Sequence, residues 1–292
     1  MEPRSLDAIL AGTGATIVPG VFDALSARIA ARAGASALYL TGFGVAGVSF
    51  GVPDIGLVGA SEMIERTGTI AAACDSVPLI ADGDNGHGGP LNAAKLTRAY
   101  ESAGAACIQL EDQVLPKRCG HMEDKEVVSR AEAARKIAAA AQARDSKRFK
   151  IMARTDARAT HGLDEALRRG EDFLKAGADI LFIEAPRTEG ELRRVAETFA
   201  GVPLVANLVE DGKTPLLSVA ELGSLGYRIV LYPISALLAV TARLEKVYDL
   251  LLRGDRKGLD GDRASFQHYN EIMKLPELLA VTGRLAETYK EE

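Results

Sequence analysis

Asp82 and Asp84 sit two residues apart in the glycine-rich stretch Asp82-Gly83-Asp84-Asn85-Gly86-His87-Gly88-Gly89 of this 292-residue chain. Hard carboxylate oxygens at that spacing suit Mg²⁺, with Mn²⁺ as a substitute, held by one or two carboxylates and several waters that a substrate can displace. The plainer reading is an Asx-rich turn without an ion. The missing ligand spacing and terminal Glu argue against an EF-hand calcium loop. The second group with chemical promise is Lys117-Arg118-Cys119-Gly120-His121, a thiol bracketed by two cations, a Gly and an imidazole. Nearby positive charge stabilises thiolate and makes a cysteine an efficient proton donor or nucleophile. Cys74 and Cys107 lie in Ala-rich apolar surroundings and read as core thiols. The stretch from Asp112 to Glu126 is long for a connection inside a barrel and is expected to be a mobile lid carrying the acid.

These groups need elements to position them. Short Val-, Ile- and Leu-rich runs alternate with helical stretches, the pattern of buried parallel strands joined by crossover helices. Eight strands are expected: Thr16 to Val21, Ala37 to Thr41, Pro78 to Asp82, Ala106 to Glu111, Lys150 to Arg154, Ile180 to Glu184, Leu204 to Asn207 and Arg228 to Tyr232. Gly34, Gly104, Gly177 and Gly226 punctuate the helix-to-strand turns. Eight such units favour a closed (β/α)₈ TIM barrel over a doubly wound sheet. Asp82, Glu111, Arg154, Glu184 and Asn207 each end a different strand, on the face where barrel active sites are built. Ser235 to Leu252 reads as a helix, followed by a polar break from Arg253 to Gly258 and more helix from Ser265. The expectation is one α/β barrel domain over 1–292, with 253–292 a C-terminal helical extension that packs on the same barrel or reaches a neighbouring subunit.

Composition narrows the partners. Hydrophobic residues make up 47% and charged residues 26%, and 35 basic against 40 acidic side chains are interspersed along the chain. No basic stripe is available for a phosphate backbone, so nucleic acid is not an expected partner. Neither a signal-like start nor an 18-residue apolar window is present, which predicts no membrane association and a cytoplasmic location. The three cysteines form neither a disulfide framework nor a CxxC zinc pattern and are expected to be free thiols.

With Lys117-Arg118-Cys119-Gly120-His121 and Asp82-Gly83-Asp84 in hand, the chain resembles the isocitrate lyase/phosphoenolpyruvate mutase superfamily. Within it, the likeness is to the short bacterial branch of 2-methylisocitrate lyases, 2,3-dimethylmalate lyases and carboxyvinyl-carboxyphosphonate phosphorylmutase-like proteins. It extends from Pro19-Gly20-Val21-Phe22-Asp23 to Leu231-Tyr232-Pro233. The resemblance implies that Tyr39, Thr41, Gly42 and Phe43 hold the substrate's 2-oxo or 2-hydroxy carboxylate. It implies that Asp82, Asp84 and Glu111 form an Mg²⁺ site met largely through water. Arg154, Glu184 and Asn207 would orient the substrate, with Asp82, Lys117 and Gly120 also beside it, and Cys119 would be the general acid. A homotetramer with helix exchange is implied as well.

The implied reaction is cleavage of a carbon-carbon bond in a 2-hydroxy di- or tricarboxylate to pyruvate or another 2-oxo acid and a carboxylate. Tyr39 is the candidate base, with Glu184 as competitor. Arg118, His121 and Asn207 would stabilise the enediolate that Cys119 protonates. The alternatives are an oxaloacetate hydrolase or a carboxyvinyl-carboxyphosphonate phosphorylmutase-type phosphonate enzyme on the same barrel; Cys119 argues against the mutase, whose members carry no cysteine there. A non-catalytic dicarboxylate-binding barrel does not explain the carboxylates and the acid loop together. Three local departures bear on substrate: Ile183 before Glu184 where methylisocitrate lyases have Pro, Met122-Glu123-Asp124-Lys125 after the acid loop, and Glu210-Asp211-Gly212-Lys213-Thr214-Pro215, closer to the dimethylmalate lyase and oxaloacetate hydrolase branches. Ile183 is read as reshaping an apolar wall beside the scissile bond. Arg154 and Arg118, with Lys117, His121 and Lys213 as further cations, suit a small methyl-substituted malate ahead of methylisocitrate, because each desolvated carboxylate needs its own donors.

Overall fold

The eight apolar runs form eight parallel strands: β1 (Thr16–Val21), β2 (Leu38–Leu40), β3 (Leu79–Asp82), β4 (Cys107–Glu111), β5 (Lys150–Thr155), β6 (Ile180–Ile183), β7 (Leu204–Asn207) and β8 (Tyr227–Tyr232). Each pairs with the next in sequence order, and β1 pairs with β8 in the register Ile17↔Val230, closing a TIM barrel. This computed structural model describes residues 5–74, 76–117, 125–210, 212–261 and 263–289. Among those residues no helix is long and apolar enough to cross a membrane.

Side chains alternate between the two faces of a strand, so each barrel strand contributes to two different cores. Ile108 and Leu110 of β4 and Leu79 and Ala81 of β3 belong to the layer shared with the surrounding helices, where Leu96, Ile137 and Phe173 pack. Val18, Ile80, Cys107, Met152, Ile180, Val205 and Ile229 fill the barrel interior, with the N-terminal helix Leu6–Ala11 contributing Leu6. Continuing along the inward face toward the carboxyl ends, Cys107 is followed by Gln109 and Glu111, Ile80 by Asp82, Met152 by Arg154, and Val205 by Asn207. The same alternation that fills the lower barrel with hydrocarbon therefore delivers the polar ring to its mouth.

Beyond β4 the chain makes a narrow neck before helix Arg130–Ala143. Gln113 pairs with Val127 in an antiparallel bridge, Val114 N donates to Glu126 O at 2.9 Å, and Val128 N donates to Asp112 O at 2.9 Å.

The chain divides into two compact units, Met1–Leu237 and Leu238–Glu292. The second holds most of helix Ser235–Leu252 and helices Phe266–Ile272 and Leu275–Thr288. Leu252, Phe266, Leu278, Leu285 and Tyr289 of this unit are exposed.

Candidate active site

A cleft with about 520 Å³ of open space lies at the carboxyl ends of the strands, and Tyr39, Thr41, Phe43, Asp82, Glu111, Lys117, Arg154, Glu184 and Asn207 all line it. One side is acidic. Asp82 ends β3 and accepts from Gly42 N at 3.2 Å, from Gln109 Nε2 at 3.1 Å and from Asp84 N at 3.1 Å. Glycine at 42 permits this approach, because a Cβ there would come within 2.9 Å of Asp82 Oδ2 and displace that carboxylate. Thr41 begins helix Gly42–Phe50 and caps it, its Oγ1 accepting from Gly44 N at 3.4 Å. Asp84 takes a left-handed backbone, φ 49°, which short Asx side chains tolerate better than most. This turns its carboxylate onto Lys117, 2.6 Å from Nζ, and Lys117 pairs with Asp54 as well.

Burial in this corner shifts Asp82, Glu111, Lys117 and Tyr39. Desolvation, followed by repulsion from Asp84, pushes the Asp82 carboxyl up to about 6. Desolvation pushes Glu111 well above the usual carboxylate range despite the Arg154 charge. Burial alone would lower the Lys117 ammonium, but Asp84, Asp54, Asp82 and Glu111 outweigh it and hold the lysine charged. Tyr39 donates its hydroxyl to Gln109 Oε1 at 2.9 Å, and burial followed by the Asp82 charge raises its phenol well above the ordinary tyrosine value.

Arg154 dominates the other side. Its Nε stands 3.4 Å from Glu111 Oε2, its Nη2 3.8 Å from Glu184 Oε1, and its guanidinium lies 4.9 Å from the centre of the Phe182 ring. Asn207 Nδ2 reaches both Glu184 oxygens at 3.4 Å, leaving Asn207 Oδ1 buried with no hydrogen-bond partner among the described residues. Immediately after Glu184 the backbone is strained, with Ala185 at φ 52° ahead of Pro186. Phe43, Phe182, Val209, Leu231, Pro233 and Ile234 form the apolar wall.

Two sequence expectations about this wall and its cations do not hold. Ile183 packs into the layer between sheet and helices, since its neighbours Phe182 and Glu184 take the inward face of that strand, so it does not shape the cleft. Lys213 is exposed and does not line the cleft. Arg118, Cys119, Gly120 and His121, and the core of the expected lid, lie outside the described residues. Asp54 was not anticipated from the sequence; its one signal is an acid in the otherwise apolar turn Gly51-Val52-Pro53-Asp54-Ile55-Gly56.

The donor set fits a hard divalent cation. Glu111 Oε1 is buried with no hydrogen-bond partner among the described residues, and the raised Asp82 and Glu111 carboxyls are what a cation would relieve. No three His, Cys, Asp or Glu side chains among the described residues converge closely enough to hold an ion directly. Mg²⁺ is the cation that accepts such a site, because it keeps several waters and takes only one or two protein carboxylates.

The barrel thus brings an acidic corner and a buried arginine together at its strand ends. Residues 6–252 match the family model described as phosphoenolpyruvate phosphomutase, and the chain belongs to that family, within the isocitrate lyase/phosphoenolpyruvate mutase superfamily. It is 44% identical over 271 residues to 2,3-dimethylmalate lyase of Eubacterium barkeri, covering 92% of this chain and 93% of that protein. Among solved structures it resembles oxaloacetate acetylhydrolase in complex with 3,3-difluorooxalacetate, with TM-score 0.90, 32% identity and 97% of each chain covered. It also resembles phosphonopyruvate hydrolase in complex with oxalate and Mg²⁺, with TM-score 0.85, 32% identity and 96% and 97% of the two chains covered.

Proposed function

We propose that this chain is an Mg²⁺-dependent carbon-carbon lyase acting on a small methyl-substituted 2-hydroxydicarboxylate of the 2,3-dimethylmalate type. The observation that carries the substrate reading is the cleft's make-up: Arg154 and Lys117 are its cations among the described residues, Lys117 is already shared between Asp54 and Asp84, and six apolar side chains line the rest. Such a cleft favours few carboxylates and some hydrocarbon, because each further buried carboxylate would need donors of its own.

The chain's residues divide the work. Arg154 binds a substrate carboxylate, and Thr41 and Phe43, which line the cleft at the start of helix Gly42–Phe50, receive the other end. Asp82, Asp84 and Glu111 would hold Mg²⁺ or Mn²⁺ largely through water, supplying Lewis-acid polarisation of the hydroxyl and carboxylate oxygens when bound. Tyr39 stays protonated and tied to Gln109, so the base reading passes to Glu184, oriented by Asn207 and Arg154. Glu184 takes the hydroxyl proton, and the C2–O electrons close to the ketone of pyruvate. The C2–C3 bond breaks, its electron pair passes to the departing carboxylate as an enediolate, and protonation by the Cys119 thiol completes propanoate. Arg118 and His121 stand beside that thiol in sequence and serve the same charge.

The same reading extends to a cytoplasmic homotetramer. The buried thiols of Cys74 and Cys107 suit a reducing compartment, and the exposed Leu252, Phe266, Leu278 and Tyr289 are apolar surface that subunit association would cover.

The decisive measurement is kcat/KM for 2,3-dimethylmalate, 2-methylisocitrate and oxaloacetate on one Mg²⁺-saturated preparation. Pyruvate released fastest from dimethylmalate is expected. A clear preference for methylisocitrate would refute the charge argument, and oxalate with acetate from oxaloacetate would establish a hydrolase.

A further inference from the structure

Arg154 is gripped from behind the cleft. Its Nε donates to Asp156 Oδ2 at 3.0 Å and its Nη2 to Asp156 Oδ1 at 3.2 Å. A two-point grip of this kind fixes the plane of a guanidinium as well as its place. It occupies the Nε edge, and among the described residues nothing hydrogen-bonds Nη1, which leaves that nitrogen for a ligand. Asp156 follows β5 directly, two residues beyond Arg154, and is fully enclosed.

Asp156 is held in turn. Lys125 Nζ donates to its Oδ1 at 2.6 Å, and its own backbone N–H donates to Asp112 Oδ1 at 2.9 Å. Asp112 is fixed by the Thr155 hydroxyl at 2.6 Å and by Arg169 Nη1 at 2.9 Å. Without this support Arg154 has two rival partners within reach, Glu111 at 3.4 Å and Glu184 at 3.8 Å. A guanidinium drawn onto either carboxylate would be spent inside the protein and turned from the substrate.

We infer that Asp156 and Lys125 are positioning residues for substrate recognition: Asp156 aims the Arg154 guanidinium into the cleft, and Lys125 holds the Asp156 carboxylate in the orientation that does so. This rests on the reading of Arg154 as the carboxylate-binding group. A pair that served only to stabilise the fold would have no reason to act on affinity alone. Because the carboxylate that Arg154 binds is present in substrate and transition state alike, loss of aim removes uniform binding, which raises KM and spares kcat.

The test compares wild type, Asp156→Asn, Lys125→Met and Lys125→Arg, each with saturating Mg²⁺, by steady-state cleavage of 2,3-dimethylmalate, by calorimetric titration with oxalate and by thermal melting. Asp156→Asn is expected to raise KM and the oxalate Kd by about 10- to 100-fold with kcat within about threefold of wild type. Lys125→Met should raise both by about three- to tenfold, and Lys125→Arg should stay within about twofold. A folded Asp156→Asn protein with wild-type oxalate affinity overturns the inference, as does a loss of kcat that follows the loss of melting temperature. Should Asp156→Asn not fold, an unchanged oxalate Kd in Lys125→Met overturns it equally. Oxalate bound by wild type without cleavage of dimethylmalate would refute the dimethylmalate reading while leaving the affinity comparison intact.

Discussion

Cys107 and Glu111 stand four residues apart on the inward face of β4, both buried, and burial acts on them to different ends. At the lower position desolvation pushes the thiol far above its ordinary value, outweighing a backbone hydrogen bond with Met152, and its contact from Sγ to Ile108 O is a long 3.6 Å. Cys107 is a small apolar filler. At the upper position desolvation acts on Glu111 in the same direction, but Arg154 stands 3.4 Å away and a carboxylate oxygen is left without a partner. Depth is the same; what differs is whether opposite charge and an unsatisfied acceptor accompany the ionisable group. That combination, and not burial, separates the strand-end layer of this barrel from its filling.

Removing the cation should break the upper layer most completely. Chelation with EDTA is expected to lower the cleavage rate by about a thousandfold or more, restored by Mg²⁺ and in part by Mn²⁺. Full activity in chelated protein would mean that Asp82, Asp84 and Glu111 tolerate one another without a divalent ion.

Substituting thiols in the two settings sharpens the contrast. Cys119→Ser should lower kcat by about 10²- to 10⁴-fold while oxalate still binds, since a hydroxyl is a far weaker acid. Cys107→Ser should leave kcat within about twofold and instead lower unfolding stability by about 1–3 kcal/mol, from a hydroxyl buried among hydrocarbon. Equal losses of kcat at both positions would erase the distinction between the layers.

The smallest effect concerns acid stability. Burial would raise the Asp156 carboxyl, but Arg154 and Lys125 outweigh it and hold it at about 2, below the ordinary 3.8. Because the folded value is depressed, this contribution is complete above about pH 4 and is lost as the pH falls toward about 2, amounting to about 2 kcal/mol. The urea midpoint of wild type should therefore fall across that interval, with a shallower fall for Asp156→Asn. Parallel slopes would remove the stabilising role of the buried pair.

Most of the barrel was legible because its signals are local. β1 and β7 begin and end where their apolar runs do, and the other six differ by a residue or two at their ends, where alternation gives way to turns. The strand-end ring was readable for the same reason. The partners that tune it were not, because Lys117 finds Asp54 across 63 residues and Lys125 finds Asp156 across 31, and pairings at such distances leave no periodicity. Asp156 is an intermediate case: it follows Arg154 at the two-residue spacing that puts both on one face of a strand. Ile183 shows the opposite error. Its departure from the family pattern drew attention, whereas a one-residue step along β6 was enough to send it to the other side of the sheet.

The neck that joins Gln113 to Val127 bears on how such a barrel changes over evolutionary time. Its bridge and two flanking hydrogen bonds close the backbone on itself before the chain departs and after it returns. A connection closed at its neck in this way can be lengthened at only about 0.6 kcal/mol of closure entropy per doubling. A lineage can therefore vary the length of that connection while inheriting the strands and helices on either side of the neck unchanged.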